Sequence, residues 1–218
     1  MRIGVLGTGI VGQTLGRRLV ELGHEVRMGS RSAGNEKAAA WVAEVGEGAS
    51  EGTFTEAAAF GDLLVNATNG NASLEALEAA GAANLAGKVL VDVSNALDTS
   101  QGMPPAVGVG NADSLGERIQ RAFPEARVVK TLNTMNCSVM VDPTLVPGSH
   151  TVFVCGDDEP AKGDVRRLLA EFGWPPGDVL DLGGIASARG VEMYVALWVQ
   201  LWMTTGTGQL NVKVVVGA

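Results

Sequence analysis

The chain has 218 residues, 46% of them hydrophobic and 18% charged, which excludes a disordered or fibrous protein and leaves room for one substantial core. Its formal net charge is −8 with no basic cluster, which argues against nucleic acid or an anionic membrane as a partner. Two cysteines, Cys137 and Cys155, without C-x-x-C spacing exclude a disulfide framework or a zinc site and suit a reducing, cytoplasmic setting.

Met1 to Gly12 reads MRIGVLGTGIVG. Ile3, Val5 and Leu6 predict a strand that starts almost at Met1, leaving no room for a cleavable leader. Gly7, Thr8 and Gly9 break the run, and Ile10 to Leu22 carries apolar residues at helical spacing up to Gly23. Gly7, Gly9 and Gly12 form G-x-G-x-x-G between strand and helix, the dinucleotide-binding arrangement. The first glycine permits the turn, the second admits a pyrophosphate, and the third lets helix and strand pack closely. The N–H groups and positive dipole end of the helix then face the phosphates.

Val26 and Met28 belong to a second strand, followed by a helix over Ala38 to Val45. Thr53 and Phe54 predict a short third strand, Glu56 to Phe60 a helical turn, and Leu63 to Val65 a fourth strand. Ser73 is the expected N-cap of a helix through Leu74, Leu77 and Ala80. Val89 to Val93 is a fifth strand, Gly102 to Gly110 a loop, Ser114 to Phe123 a helix, and Arg127 to Thr131 a sixth strand. Thr151 to Cys155, the helix Pro160 to Phe172, and Val179 to Leu182 complete the alternation. Alternating strands and helices predict an α/β, doubly wound, Rossmann-type parallel sheet over residues 1–182.

Residues 183–218 predict a small appendage of one helix and one strand. Val191 to Met203 is apolar on nearly every side, interrupted only by Glu192 and Gln200, so burial all round is expected. At about 13 residues it is short of the ~20 that span a bilayer, so a soluble protein without membrane contact is expected. Tyr194, Trp198 and Trp202 share a face, which suits a core helix, a homodimer contact or a wall over the nicotinamide end. Leu210 to Val216 reads as a last strand.

An NAD site places an acid at the end of the second strand, to accept from the ribose 2′-hydroxyl. Here the strand ends Gly29-Ser30-Arg31, and Glu25 lies too early to serve. Ser30 and Arg31, with Lys37 six residues on, suit a 2′-phosphate and hence NADP(H). The nicotinamide would face the carboxyl ends of the strands: Thr8 to Val11, Ala67-Thr68-Asn69 after Asn66, Asn95 between Ser94 and Ala96, and Asn133, Thr134 and Cys137. These segments contain no Asp, Glu, His, Lys or Tyr. A ketone reductase needs such a group to protonate an alkoxide, whereas hydride transfer to a flavin-like ring needs mainly alignment. No catalytic side chain and no metal ligand is therefore predicted. His24 and His150 read as structural or exposed, and Cys137 as a small lining residue.

Gly7-Thr8-Gly9, Gly29-Ser30-Arg31, Val152 to Asp158 and Gly206 to Val214 together resemble the NADP oxidoreductase family that uses coenzyme F420, a deazaflavin. The nicotinamide domain of the six-transmembrane metalloreductases is similar more distantly. The resemblance implies that Thr8 to Val11 hold the pyrophosphate and nicotinamide ribose, that Ser30, Arg31 and Lys37 hold the 2′-phosphate, and that the protein is a dimer. It also implies direct hydride passage between the two cofactors. Where the family shows His-Thr-x-Pro-Ala, this chain has Asn133-Thr134-Met135-Asn136-Cys137. The expected function is hydride transfer between NADP(H) and a deazaflavin or related flavin. The alternatives are an NADPH reductase of another small acceptor and a non-catalytic NADP-binding sensor.

Overall fold

The glycine turn and the strand ends around it are placed by a sheet whose order follows from short β-branched runs alternating with half-apolar helices. The computed structural model describes residues 1–98, 100–107 and 112–217. β1 (Arg2–Leu6) leads into α1 (Ile10–Glu21), which turns Gly12, Leu15, Gly16 and Leu19 inward. β2 (Glu25–Ser30) is followed by α2 (Glu36–Val45), capped by the Asn35 side chain, which accepts from the Lys37 and Ala38 amides. β3 (Ala49–Thr53) runs straight into α3 (Phe54–Phe60) through a capping box of Thr53 and Glu56. β4 (Leu63–Asn66), α4 (Ser73–Ala80), α5 (Ala82–Leu85) and β5 (Val89–Asp92) follow. Beyond a small antiparallel pair, β6 (Leu97–Asp98) and β7 (Ala106–Val107), come α6 (Leu115–Ala122) and β8 (Arg127–Thr131). The chain ends with α7 (Cys137–Val141), β9 (Val152–Cys155), α8 (Glu159–Glu171), β10 (Val179–Asp181) and α9 (Ala188–Thr205).

The main sheet has the order β10-β9-β8-β5-β4-β1-β2-β3. From β1 the chain winds outward through β2 and β3, then returns to the other side of β1 with β4. The switch point therefore lies between β1 and β4, at their carboxyl ends, where open α/β sheets bind ligands. Successive strand residues face opposite sides, and each side has its own core. Ile3, Val5, Leu15, Trp41, Val65, Val91 and Val129 fill one, and Leu6, Leu64, Leu77, Leu90, Ile119 and Val128 fill the other.

The α/β, Rossmann-type class expected from the alternation is what the structure shows, with specific departures. The sheet is not wholly parallel: β9 pairs antiparallel with β8, and β10 pairs parallel with β9. The cause is α7, five residues long and packed beside α1, which cannot carry the chain back across the sheet. The chain stays at the carboxyl edge and β9 runs backwards. The third strand covers Ala49–Thr53 rather than Thr53 and Phe54, because Thr53 caps a helix that Phe54 begins. Ser73 is not an N-cap but the first residue of α4; Asn69 caps the 3₁₀ turn Gly70–Ala72 before it.

The expected loop Gly102 to Gly110 holds β7, and its residues 108–110 lie outside the described residues. α9 is not buried all round: Met193, Leu197, Trp202 and Met203 are 41 to 53% exposed, because only its Ala188, Val191, Val195 and Val199 side meets the core. Leu210 to Val216 forms no strand. It crosses the start of β9, giving the Val212 carbonyl to the Thr151 amide and the Asn211 side chain to the Thr151 carbonyl. No helix among the described residues is long and apolar enough to cross a membrane. Both histidines are structural: His24 meets Glu171 at 2.7 Å, and buried His150 lies between the Pro143 carbonyl and the edge of Trp174.

Candidate functional site

Each glycine of the first turn has its own steric reason. Gly7 has φ +120°, and a Cβ there would lie 2.5 Å from the Ala67 carbonyl oxygen of the neighbouring strand end. A Cβ on Gly12 would lie 2.1 Å from the Gly7 carbonyl oxygen, whereas one on Gly9 would meet nothing within 4 Å. Gly7 and Gly12 are thus packing residues, whereas the space beside Gly9 is open. Gly9→Ala is expected to leave stability within about 0.5 kcal/mol, because φ −76° suits alanine, while weakening a dinucleotide roughly tenfold or more. Gly12→Ala is expected to cost about 1–3 kcal/mol of stability by overpacking. Thermal melts paired with NADPH titration separate the two; a stability loss in Gly9→Ala would contradict the assignment.

α1 starts with no side-chain cap and no acid in its first turn, so its leading amides and positive end are left for an anion. Thr8 is tied by its carbonyl to the Gln13 side chain at 3.0 Å. Ile10 is 75% exposed at the helix start and Val11 is half-buried behind it, an apolar surface beside the turn that a flat ligand could cover.

At the end of β2, Ser30 is buried, and its hydroxyl donates to the Ser32 carbonyl at 2.6 Å. Arg31 is exposed and, among the described residues, makes no ion pair. Lys37 stands exposed in the first turn of α2. Glu25 sits at the opposite end of β2, as the sequence indicates. One acid was not anticipated: Glu51 reaches across from β3 to accept from the Gly34 amide at 3.2 Å, bracing the loop that bears Arg31. Only the β2–β3 register, Met28 opposite Glu51, reveals it.

The segments expected to face the nicotinamide come together at the carboxyl edge. Asn69 caps a 3₁₀ turn, and Thr68 donates its hydroxyl to Asn66 Oδ1 at 2.7 Å. Asn133 Nδ2 donates to Asn95 Oδ1 at 3.0 Å, while Asn95 Nδ2 donates to the Asn133 carbonyl at 2.8 Å. Leu132, just before, holds φ +61°, a left-handed conformation that costs a non-glycine residue about 1–2 kcal/mol. Thr134 is 1% exposed, and its hydroxyl has no partner among the described residues. The Cys137 thiol is buried against Thr14 of α1, with Thr14 Oγ1 donating to it at 3.6 Å. Cys155 is a different thiol: burial pushes it up to about 12, so it stays protonated.

Beneath these loops lies a set of charges that the segment-by-segment reading missed, although the sequence signalled it. Lys130 interrupts an apolar strand and Glu192 an apolar helix. Burial pulls the Lys130 ammonium down, but the Asp92 and Glu192 carboxylates outweigh it and hold the lysine above its ordinary value. Cavities of about 290 and 390 Å³ lie at the other edge of the sheet, one lined by Asp62 and Arg127 and the other by Glu25 and Phe60. Neither touches the glycine turn.

The family model for "NADP oxidoreductase coenzyme F420-dependent" matches residues 2–96. A crystal structure from Arthrobacter sp. FB24, assigned as an F420-dependent NADP-reductase, is 50% identical with a TM-score of 0.92, covering 98% of this chain and 99% of that one. Metalloreductase STEAP3 of Rattus norvegicus is 31% identical over 192 residues, which is 88% of this chain and 36% of that protein. Metalloreductase STEAP2 of Homo sapiens is 28% identical over 119 residues, or 54% of this chain and 21% of that protein. The chain thus spans about a third or less of the length of the metalloreductases it matches. A reductive aminase from Aspergillus terreus, 18% identical with a TM-score of 0.66, shares the fold alone. A dinucleotide turn at the switch point, a cationic β2 tip and a half-identical relative over the full length make this an NADP-dependent oxidoreductase. The chain belongs to the coenzyme F420-dependent NADP oxidoreductase family.

Proposed function

We propose that this protein passes a hydride between NADP(H) and a deazaflavin or related flavin. The observation that carries the reading is the composition of the carboxyl-edge segments: amides, hydroxyls and one thiol, above the charges of Lys130, Asp92 and Glu192, which are buried and spent on one another. Thr8 to Val11, Ala67 to Asn69, Asn95 and Asn133 to Cys137 can align two rings but carry no group that protonates an alkoxide.

The amides heading α1 at Ile10, Val11 and Gly12 would hold the pyrophosphate, across the turn Gly7-Thr8-Gly9. Arg31 and Lys37 would hold the 2′-phosphate. Ser30, whose hydroxyl is occupied, serves by shaping the turn that presents Arg31. Ala67, Thr68, Asn69 and Asn95 would border the nicotinamide ribose, and Asn133, Thr134 and Cys137 the ring. Bound NADPH supplies the hydride; the protein supplies placement and the exclusion of water.

Residues 1–182 form the cofactor-binding part in this reading, and residues 183–218 the acceptor wall and the contact of a homodimer. The exposed Met193, Leu197 and Met203, with Trp198 and Trp202 stacked at 6.3 Å, favour such a contact. Two thiols with no partner suit a reducing, cytoplasmic location.

A second reading, reduction of another small acceptor, is favoured by Asn133-Thr134-Met135-Asn136-Cys137 at the ring position. Absorbance at 340 nm decides between them when NADPH is incubated with coenzyme F420, FMN, riboflavin, quinones and ferric citrate. Turnover with the deazaflavin or a flavin is expected. Turnover only with another acceptor supports the second reading, and tight binding without any turnover would make the protein a sensor.

A further inference from the structure

Lys130, Asp92 and Glu192 are buried charges for which hydride transfer has no direct use. The Lys130 ammonium lies 2.9 Å from Asp92 Oδ2 and 3.0 Å from Glu192 Oε1, and the three side chains are 0, 0 and 4% exposed. It also donates to the Ser94 carbonyl at 2.5 Å. Asp92 Oδ1 accepts from the Ser94 amide and hydroxyl and from Asn66 Nδ2. Asn66 Oδ1 in turn holds the Thr68 hydroxyl. At the far end, the Glu192 carboxylate accepts from the Leu115 and Gly116 amides, the first two of α6, at 2.7 and 3.0 Å.

These bonds close a ring. Asn133 Nδ2 donates to the carbonyl of Val191, the residue before Glu192, and exchanges amide bonds with Asn95, the residue after Ser94. α9 is therefore fixed twice to the same loop, once through Asn133 and Asn95 and once through Glu192, Lys130 and Ser94. Stability alone does not account for this. Taking three charges out of water costs about as much as their pairing returns, and apolar groups of equal volume often do as well. What apolar groups lack is direction. An ammonium on a loop carbonyl and a carboxylate on helix amides set where those backbones stand.

We propose that Lys130, Asp92 and Glu192 are positioning residues that set the loops 94–96 and 67–69 under the nicotinamide and tie them to α9. The proposal rests on the nicotinamide placement given above. None of the three touches the cofactor; they act through the Ser94 carbonyl and the Asn66 amide. The adenosine phosphate end, on β2, lies outside the ring. Removing one charge should accordingly displace the hydride donor and leave most of the affinity in place.

Glu192→Gln keeps one oxygen, for one of the two α6 amides, and deletes the charge facing Lys130. The expected result is an NADPH Kd changed by less than about threefold, with kcat lowered roughly 10- to 100-fold, the scale of a misplacement near 1 Å. The fluorescence of bound NADPH should shift toward that of free NADPH, a readout that needs no acceptor. Arg189→Ala is the control: it breaks the pair with Glu117 that also holds α9 to α6, outside the ring, and should leave the emission of bound NADPH unchanged. Where Glu192→Gln does not fold, Ser94→Ala, which removes one hydroxyl bond to the Asp92 carboxylate and no charge, should shift emission the same way by less. Unchanged emission and kcat in the ring variants, or an equal emission change in Arg189→Ala, overturns the proposal. A wild-type chain that binds no NADPH overturns the placement itself, which distinguishes the two failures.

Discussion

Arg31→Ala is expected to weaken NADPH binding roughly 10- to 150-fold and to change NADH binding by less than about twofold. The range is the 1.5–3 kcal/mol of a hydrogen bond to a charged group, taken at a guanidinium with no acid to satisfy it. Arg31 is exposed and without an ion pair among the described residues, so little is lost in the free protein when it is removed. The loop that carries it is braced from two sides, by the Ser30 hydroxyl on Ser32 and by Glu51 on the Gly34 amide. The 2′-phosphate is the only group that differs between the two cofactors, so the ratio of the two losses is the diagnostic quantity. Parallel calorimetric titrations measure it; equal losses would mean that Arg31 serves the fold or the shared part of the nucleotide.

The largest loss of stability is expected from Lys130→Met, about 3–5 kcal/mol, because it leaves two buried carboxylates without their cation. Methionine nearly matches lysine in volume, so little of this would come from a cavity. Asp92 would keep Asn66 and Ser94, and Glu192 the two α6 amides, and these remaining bonds set the lower end of the range. Urea unfolding followed by tryptophan fluorescence reads the change at constant m. A loss below about 1 kcal/mol would show that the pairing returns little more than its desolvation costs.

The first half of the chain was legible because its local signals and its tertiary needs coincide. Ile3, Val5 and Leu6 are at once a β-branched run and the centre of the sheet, and Gly7, Gly9 and Gly12 are each fixed by one steric requirement. The missing acid at the β2 tip was legible for the same reason: a strand end can be read by counting. The second half depended on information that periodicity does not hold. The direction of β9 is set by the shortness of α7, and a five-residue helix capped by Asn136 leaves a weak trace in sequence. The exposure of Met193 and Leu197 is set by how far α9 runs past the core that covers its other side. Leu210 to Val216 carries valines that read as a strand, yet its bonds to β9 are too few to make one. The charged ring under the carboxyl-edge loops joins residues from position 66 to 192, so no local window could assemble it; only the two misplaced charges hinted at it.

Titration of the unaltered protein with NADPH and, in parallel, NADH tests the central claim most directly. The account predicts one NADPH bound per chain, at least roughly tenfold more tightly than NADH. Heat from neither nucleotide, or equal affinity for both, would contradict it.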